Sequence, residues 1–195
     1  MSHTIYTTEA IVIKSRNQGE ANRYIYLLTA DLGLVRAVAQ GVRLQKSKLK
    51  FGLQEGLVVR VSLVRGREVW RITSVAVVQS LLPEPATVGE YQFLGKVCSL
   101  VARLVSDEEV NHPLYINLKT NLSGLTALRA YPHLTGAYEL HTVLSLLSIL
   151  GYIDETGLTV FNLGSDLSAT YLEALLVERS SLVRRVNSAL EASHL

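Results

Sequence analysis

The sequence predicts an α+β protein of two parts, a five-stranded β-barrel at the N-terminus followed by an all-α helical domain. Apolar residues alternate at period two in short runs up to about residue 80, and beyond it they recur at helical spacing. The change coincides with Pro83 and Pro85, and prolines two apart are excluded from the interior of a strand or a helix. We therefore expect domains at residues 1–80 and 81–195.

Turn signals divide the first part into five strands, expected over residues 4–16, 22–30, 34–40, 56–65 and 68–79. In the fourth, Leu57, Val59 and Val61 alternate with Val58 and Arg60. Because every strand carries apolar residues, so small a sheet must curl on itself or be covered by a helix. An OB-type barrel is the arrangement we favour, and an SH3-like barrel satisfies the same spacing.

Helical spacing of apolar residues predicts three helices around residues 93–104, 114–128 and 140–150. Asn111 is expected to cap the second helix and Gly151 to end the third. Ser168 or Asp166 is expected to cap a fourth, and residues 180–193 to add a fifth or continue it. These helices are predicted to form the part of the molecule that binds proteins.

Composition bounds the class of protein. The chain has 195 residues, of which 48% are hydrophobic, enough for a packed core. Cys98 is the single cysteine and lies in an apolar run, so we expect a packed thiol, with no disulfide framework and no Cys-rich zinc module. No apolar run reaches the length of a signal peptide core or the roughly 20 residues of a membrane span. A cytoplasmic protein is predicted.

Charge is divided between the two parts. Residues 1–80 carry 12 basic and 5 acidic side chains, a net of +7, whereas residues 81–195 carry 7 basic and 12 acidic, a net of −5. Such a split is typical of a polyanion-binding domain tethered to a protein-binding domain.

Motifs for catalysis are lacking in the sequence. The five histidines show no metal-ligand spacing, Lys46 and Ser47 lack the glycines of a P-loop, and no G-x-S-x-G elbow occurs. The acidic run 107–109 falls at a predicted helix end, where a solvated cluster is expected. We predict no enzyme activity, no catalytic residue, no bound metal and no cofactor; a hydrolase or nuclease would need clustered carboxylates in the basic half.

Nucleic acids present closely spaced phosphates, so their partners need several cations on one patch. The residues predicted to contact the DNA backbone are Arg23, Arg36, Arg43, Lys46, Lys48, Lys50, Arg65 and Arg67. Phe51 is predicted to stack on a base, whereas Tyr24, Tyr26 and Trp70 are assigned to the core. From residues alone, an OB module that binds RNA or an acidic protein, as in a translation or ribosome-associated factor, stays an alternative.

The ordered combination of segments 19–23, 27–29, 33–43, 46–49 and 63–67 with the helix residues 139–152 resembles bacterial RecO, over residues 4–155. The resemblance implies an N-terminal OB domain joined to a helical domain, without catalysis. It implies a role in DNA repair and DNA recombination: binding of single- and double-stranded DNA, strand annealing, and help in loading recombinase onto strands coated by single-strand-binding protein. The protein partners it implies are RecR and the tail of the single-strand-binding protein. It also implies a location at the bacterial nucleoid and no association with a membrane.

Departures from the family pattern are visible. Asn22 stands where an aspartate is usual and Gln40 where a lysine is common. No cysteine follows Gly151 and Tyr152, where some members carry a zinc insertion. Residues 169–195 match the family poorly, in the region expected to dock the tail of the single-strand-binding protein.

Overall fold

The structure, a computed structural model, describes residues 4–67, 69–106, 108–154 and 167–192. Its N-terminal part contains five strands, each within two residues of its predicted bounds. They are β1 (Ile5–Gln18), β2 (Asn22–Thr29), β3 (Gly33–Ala39), β4 (Leu57–Arg65) and β5 (Trp70–Ser80).

These strands close into a barrel in the order β1-β2-β3-β5-β4. The long strand β1 pairs with β4 over its first half and with β2 over its second, and a short parallel pairing of β3 with β5 joins the remaining edges. This order is that of an OB-type barrel, so the predicted fold class is confirmed and the SH3-like alternative is not.

Alternation along the strands fills the barrel. Side chains such as Val12, Ile25, Val35, Val61 and Ile72 point inward and are almost fully buried. Each strand therefore presents its intervening residues on the outer surface.

The described residues also form six α-helices, all beyond the barrel, and two short 3₁₀ helices, of which the first lies between β3 and β4. The α-helices are α1 (Val88–Leu104), α2 (His112–Ser123), α3 (Leu125–Leu128), α4 (Thr135–Ile149), α5 (Ala169–Val177) and α6 (Arg179–Ala192). The 3₁₀ helices are Lys50–Gly52 and Pro132–Leu134. The predicted caps are confirmed: Asn111 Oδ1 accepts the Leu114 N–H at 2.9 Å, Ser168 Oγ accepts that of Tyr171 at 3.3 Å, and Gly151 follows α4 with φ +75°. Asp166, the other predicted cap, lies outside the described residues.

The single helix predicted over 114–128 was wrong, because the helix breaks at Gly124 into α2 and α3. The Tyr138 hydroxyl donates to the Asn121 carbonyl at 2.6 Å, which is the acceptor that would continue the helix. The same hydroxyl fills the space where a β-carbon at Gly124 would stand. The break coincides with the packing of α4 against α2, a contact that periodicity within one segment does not encode.

The outer surface of the barrel and the helices share a hydrophobic core that is separate from the barrel interior. Ile11, Leu28 and Leu34, on the outer surface of the barrel, lie in the same buried cluster as residues of α1, α2 and α4. A polar contact reinforces it: Glu9 on β1 accepts from both Tyr115 and Lys119 of α2 at 2.6 Å, and these contacts lower the pKa of Glu9. The boundary at residues 80 and 81 stays a prediction.

Candidate nucleic-acid interface

Cross-strand pairing aligns three rows of side chains on the outer surface of β1, β2 and β3. The first row, Ile11, Leu28 and Leu34, is buried under the helices. The second is Lys14, Tyr26 and Arg36, and the third is Arg16, Tyr24, Val38 and, on β5, Arg71. We call the second and third rows together the barrel face. It starts where the helical cover ends.

Cations surround aromatic rings on the barrel face. The rings of Tyr24 and Tyr26 meet edge to face with centroids 6.0 Å apart, and the Arg36 guanidinium carbon lies 5.3 Å from the centre of the Tyr26 ring. Arg16 and Arg71 are exposed, whereas both tyrosines and Arg36 are half-buried. Such an arrangement offers charges to phosphates and ring faces to bases.

The basic loop, residues 41–56, joins β3 to β4 beside this face. Val42 and Leu53 anchor its two ends in the barrel core, and both are almost fully buried. At its start, Arg43 is held on the turn between β1 and β2: its backbone N–H donates to Ala21 O at 3.0 Å and its guanidinium to Gly19 O at 2.9 Å. Between the anchors, Leu49 also packs against the barrel core, and most of the other side chains are exposed.

All the predicted contact residues of the basic loop are exposed, namely Arg43, Lys46, Lys48, Lys50 and Phe51. The Phe51 ring is 73% exposed. An exposed ring next to lysines suits stacking on a base, the role predicted for Phe51. The departure at Asn22 preserves the loop, because its amide oxygen accepts the Gly41 N–H at 2.9 Å, a bond that a carboxylate would accept equally.

The β4–β5 hairpin holds the next predicted pair, Arg65 and Arg67, both exposed. Arg65 lies over the Trp70 ring at 5.3 Å, and its guanidinium pairs with Glu108 at 3.0 Å. Glu108 also accepts from Trp70 Nε1 at 2.9 Å. A carboxylate of the helical part thus lies on a cation of the barrel.

Glu108, expected in a solvated acidic cluster, is exposed, and it is also tied to the barrel. Its backbone N–H donates to Leu34 O at 3.1 Å, and it adopts φ +57°, a conformation that residues other than glycine rarely take. Asp107 of the same run lies outside the described residues. Trp70 is almost fully buried, as predicted.

Arg23 is separated from the other predicted residues. It pairs with Ala39, a residue of the barrel interior. Because side chains alternate along a strand, Arg23 lies on the side of β2 opposite to Tyr24 and is not part of the barrel face. Its side chain lines a groove against α1. The structure thus brings Arg36 onto the barrel face, gathers the loop residues beside it and places Arg65 and Arg67 on the hairpin.

The contact residues predicted from the sequence leave out five residues of the barrel face: Lys14, Arg16, Tyr24, Tyr26 and Arg71. The period-two alternation of β2 carried a signal, because Tyr24 and Tyr26 are out of phase with the inward Ile25 and Leu27. The neighbours across the sheet could not be known, since pairing of β1 with β2 depends on a bulge between Val12 and Lys14.

Other chemistry is limited. Within residues 4–67, 69–106, 108–154 and 167–192, no three His, Cys, Asp or Glu side chains group as metal ligands. Cys98 is a packed thiol, as predicted, and burial raises its pKa to about 12. In the part of the chain that the structure describes, no helix has the length and apolarity needed to cross a membrane.

Comparison with known proteins decides the family. Residues 1–81 match the model of the family described as "Recombination protein O N terminal". The chain is 31% identical over 150 residues to the DNA repair protein RecO of Dehalococcoides mccartyi, an alignment that covers 77% of this chain and 58% of that protein. The chain belongs to the RecO family.

Two other RecO proteins are similar to this chain at a comparable level of identity. The DNA repair protein RecO of Bifidobacterium adolescentis is 30% identical over 149 residues, covering 76% of this chain and 60% of its own. The DNA repair protein RecO of Heliobacterium modesticaldum is 32% identical over 103 residues, an alignment that covers 53% of this chain and 38% of that protein. The chain spans about three fifths of the length of the first two relatives. These names refer to DNA repair and give no support to the RNA-binding or acidic-protein-binding alternative.

Proposed function

We propose that this protein is a non-catalytic, DNA-binding and strand-annealing mediator of recombinational DNA repair. It would help to load recombinase onto single strands coated by single-strand-binding protein. The observation that carries the proposal is the barrel face, where arginines and a lysine surround two tyrosine rings, continued by the exposed cations of the basic loop.

A single strand matches this surface better than a duplex does. It exposes phosphates and base faces together, whereas a duplex hides the base faces in its stack. Arg16 and Arg71 stand at the two ends of one row, with the Tyr24 ring between them. Phe51 and the lysines beside it repeat the combination on the basic loop. Double-stranded DNA would be bound through contacts of the cations with its phosphates alone.

Annealing follows from contacts of this kind. Two complementary strands repel each other through their phosphates, and cations that neutralise one backbone lower that repulsion. Contacts to phosphates and ring faces leave the pairing edges of the bases open to a second strand. The proposed role therefore needs no catalytic group and no cofactor.

The proposed partners follow from membership of the RecO family. They are single- and double-stranded DNA, RecR, and the tail of the single-strand-binding protein. A role on chromosomal DNA requires the protein to act at the bacterial nucleoid in the cytoplasm. The helical part would recruit the protein partners.

An annealing assay tests the proposal. Two complementary strands, one labelled with a donor and one with an acceptor fluorophore, are coated with single-strand-binding protein and mixed with or without this protein. We expect faster annealing with the wild type. The double variant Arg16→Ala, Arg71→Ala should lose most of that gain. Arg103→Ala, Arg184→Ala, which removes the same charge from exposed residues of the helical part, should keep it.

The proposal fails if the wild-type protein does not accelerate annealing, or if both double variants are equally impaired. Consumption of the strands in the presence of magnesium would contradict the non-catalytic role.

A further inference from the structure

A groove separates the barrel from α1 where the basic loop rejoins β4. Its volume is about 460 Å³. Leu53 of the loop and Leu94 of α1, both almost fully buried, form an apolar floor. Tyr91 of α1 stands on one side, and Asn17 and Gln54 lie among the polar lining residues. The volume falls in the range of sites that enclose a small organic group.

The lining carries one charge of each sign. Arg23 enters the groove from β2, and Glu55 from the end of the basic loop. Glu55 is fixed there, because its carboxylate accepts the backbone N–H of Ser15 at 2.9 Å. The Glu55 carboxylate would repel a phosphate in the groove, because both are negatively charged. It would not repel an uncharged group with polar edges. The groove therefore suits a neutral ligand.

Tyr91 supplies the chemistry that identifies this ligand. Its side chain lies in the first turns of α1 and is 59% exposed. An exposed ring that lines the same groove as two apolar side chains favours a flat aromatic ligand. The amides of Asn17 and Gln54 can both donate and accept hydrogen bonds, as can the polar edges of a nucleobase.

The course of the chain connects the groove to the cations. Leu53, Gln54 and Glu55 directly follow Lys50 and Phe51 of the basic loop. We propose that the groove receives one unstacked base of a single strand whose phosphates lie on the basic loop. This inference rests on the proposed function and deepens it, because a base can enter the groove only when it is free of a duplex stack.

The test compares two probes of equal length and phosphate count by fluorescence anisotropy, oligothymidylate and an abasic strand that lacks every base. The variant Tyr91→Ala removes the ring. Gly95→Leu fills the groove from α1, where a β-carbon meets no atom within 4 Å. A helix interior favours leucine over glycine, so this variant keeps the fold. Tyr131→Ala, at a ring that is 50% exposed just before the 3₁₀ turn that precedes α4, is the control.

We expect Tyr91→Ala and Gly95→Leu to weaken binding of oligothymidylate about fivefold, the lower end of what one stacked base contributes. Binding of the abasic strand and the salt dependence should not change, and Tyr131→Ala should match the wild type. Tyr91→Phe should retain affinity.

Three results would overturn the inference while leaving the proposed function intact. In the first, both groove variants bind oligothymidylate like the wild type. In the second, they lose affinity for both probes equally, which indicates a backbone contact. In the third, strand binding is unchanged and binding of a partner's peptide is lost, which makes the groove a peptide site. If the wild type shows no salt-dependent binding of either strand, the proposed function itself fails.

Discussion

Replacing Glu108 by glutamine should strengthen DNA binding, because it releases Arg65. The pair joins side chains that are 63% and 40% exposed, so we expect its loss to lower the free energy of unfolding by less than about 1 kcal/mol. In a protein of this size that shifts Tm by no more than about 4 °C. Glutamine keeps an amide oxygen for Trp70 Nε1, which now bonds the carboxylate at 2.9 Å. The substitution therefore removes the charge and leaves the fold.

One additional cation in contact with a single strand steepens the plot of log K against log salt concentration by about 0.7. At 0.1 M salt this corresponds to affinity about fivefold tighter. Anisotropy titrations of a labelled oligothymidylate at several salt concentrations measure both values. Glu109→Gln, which changes the net charge equally at the next, exposed residue, is the matched control.

The double variant Glu108→Gln, Arg65→Ala should return the slope to the wild-type value. The reasoning is refuted if folded Glu108→Gln has the wild-type slope, or if Glu109→Gln gains as much.

Further predictions concern stability. Changing Gly33 (φ +71°) or Gly19 (φ +60°) to alanine should lower the free energy of unfolding by about 1 kcal/mol, because both adopt a left-handed conformation. At Gly33 the new β-carbon also meets the backbone after α1, so the Tm of this variant should fall at least twice as far. Equal losses of Tm would contradict the close approach of that backbone to Gly33. Burial lowers the pKa of His141 from 6.5 to about 4, so urea denaturation should show the free energy of unfolding falling as pH drops from 6.5 toward 4. His141→Gln should flatten the dependence of stability on pH in this window. An unchanged profile would exclude His141 as the group responsible. A hydrogen bond from Arg129, with further hydrogen bonds from Thr87, lowers the pKa of Glu90 from 4.5 to about 2, so stability should show a second loss between pH 4.5 and 2. This loss should shrink in Arg129→Met, and an unchanged loss would assign it to another carboxylate.

Local signals in the sequence predict the barrel well because turn residues separate consecutive strands. The strand predicted over residues 56–65 matches β4 to within one residue. Closure between β3 and β5, by contrast, rests on the pairs Ala37 with Trp70 and Val38 with Arg71. No pattern within one segment encodes such long-range pairs, so the choice of an OB-type barrel over an SH3-like one required the structure.

The candidate site shows the same limit. Cations of the basic loop are adjacent in sequence, and a simple count of charge finds them. Arg16 and Arg71 come from strands far apart in the chain and meet on one row only through Tyr24 and Val38. The pairing of Arg65 with Glu108 joins the two parts of the molecule, so composition suggested the attraction but not the residues.

The basic loop is central to the proposed function, and the salt dependence of single-strand binding tests it most directly. The comparison is between the wild type and the triple variant Lys46→Ala, Lys48→Ala, Lys50→Ala, with Arg103→Ala, Arg179→Ala, Arg184→Ala as a control of equal charge in the helical part. If each loop lysine contacts one phosphate, the slope of log K against log salt concentration should become shallower by about 2 in the loop variant and stay unchanged in the control. A loop variant with the wild-type slope, or a control that loses as much, would contradict the account.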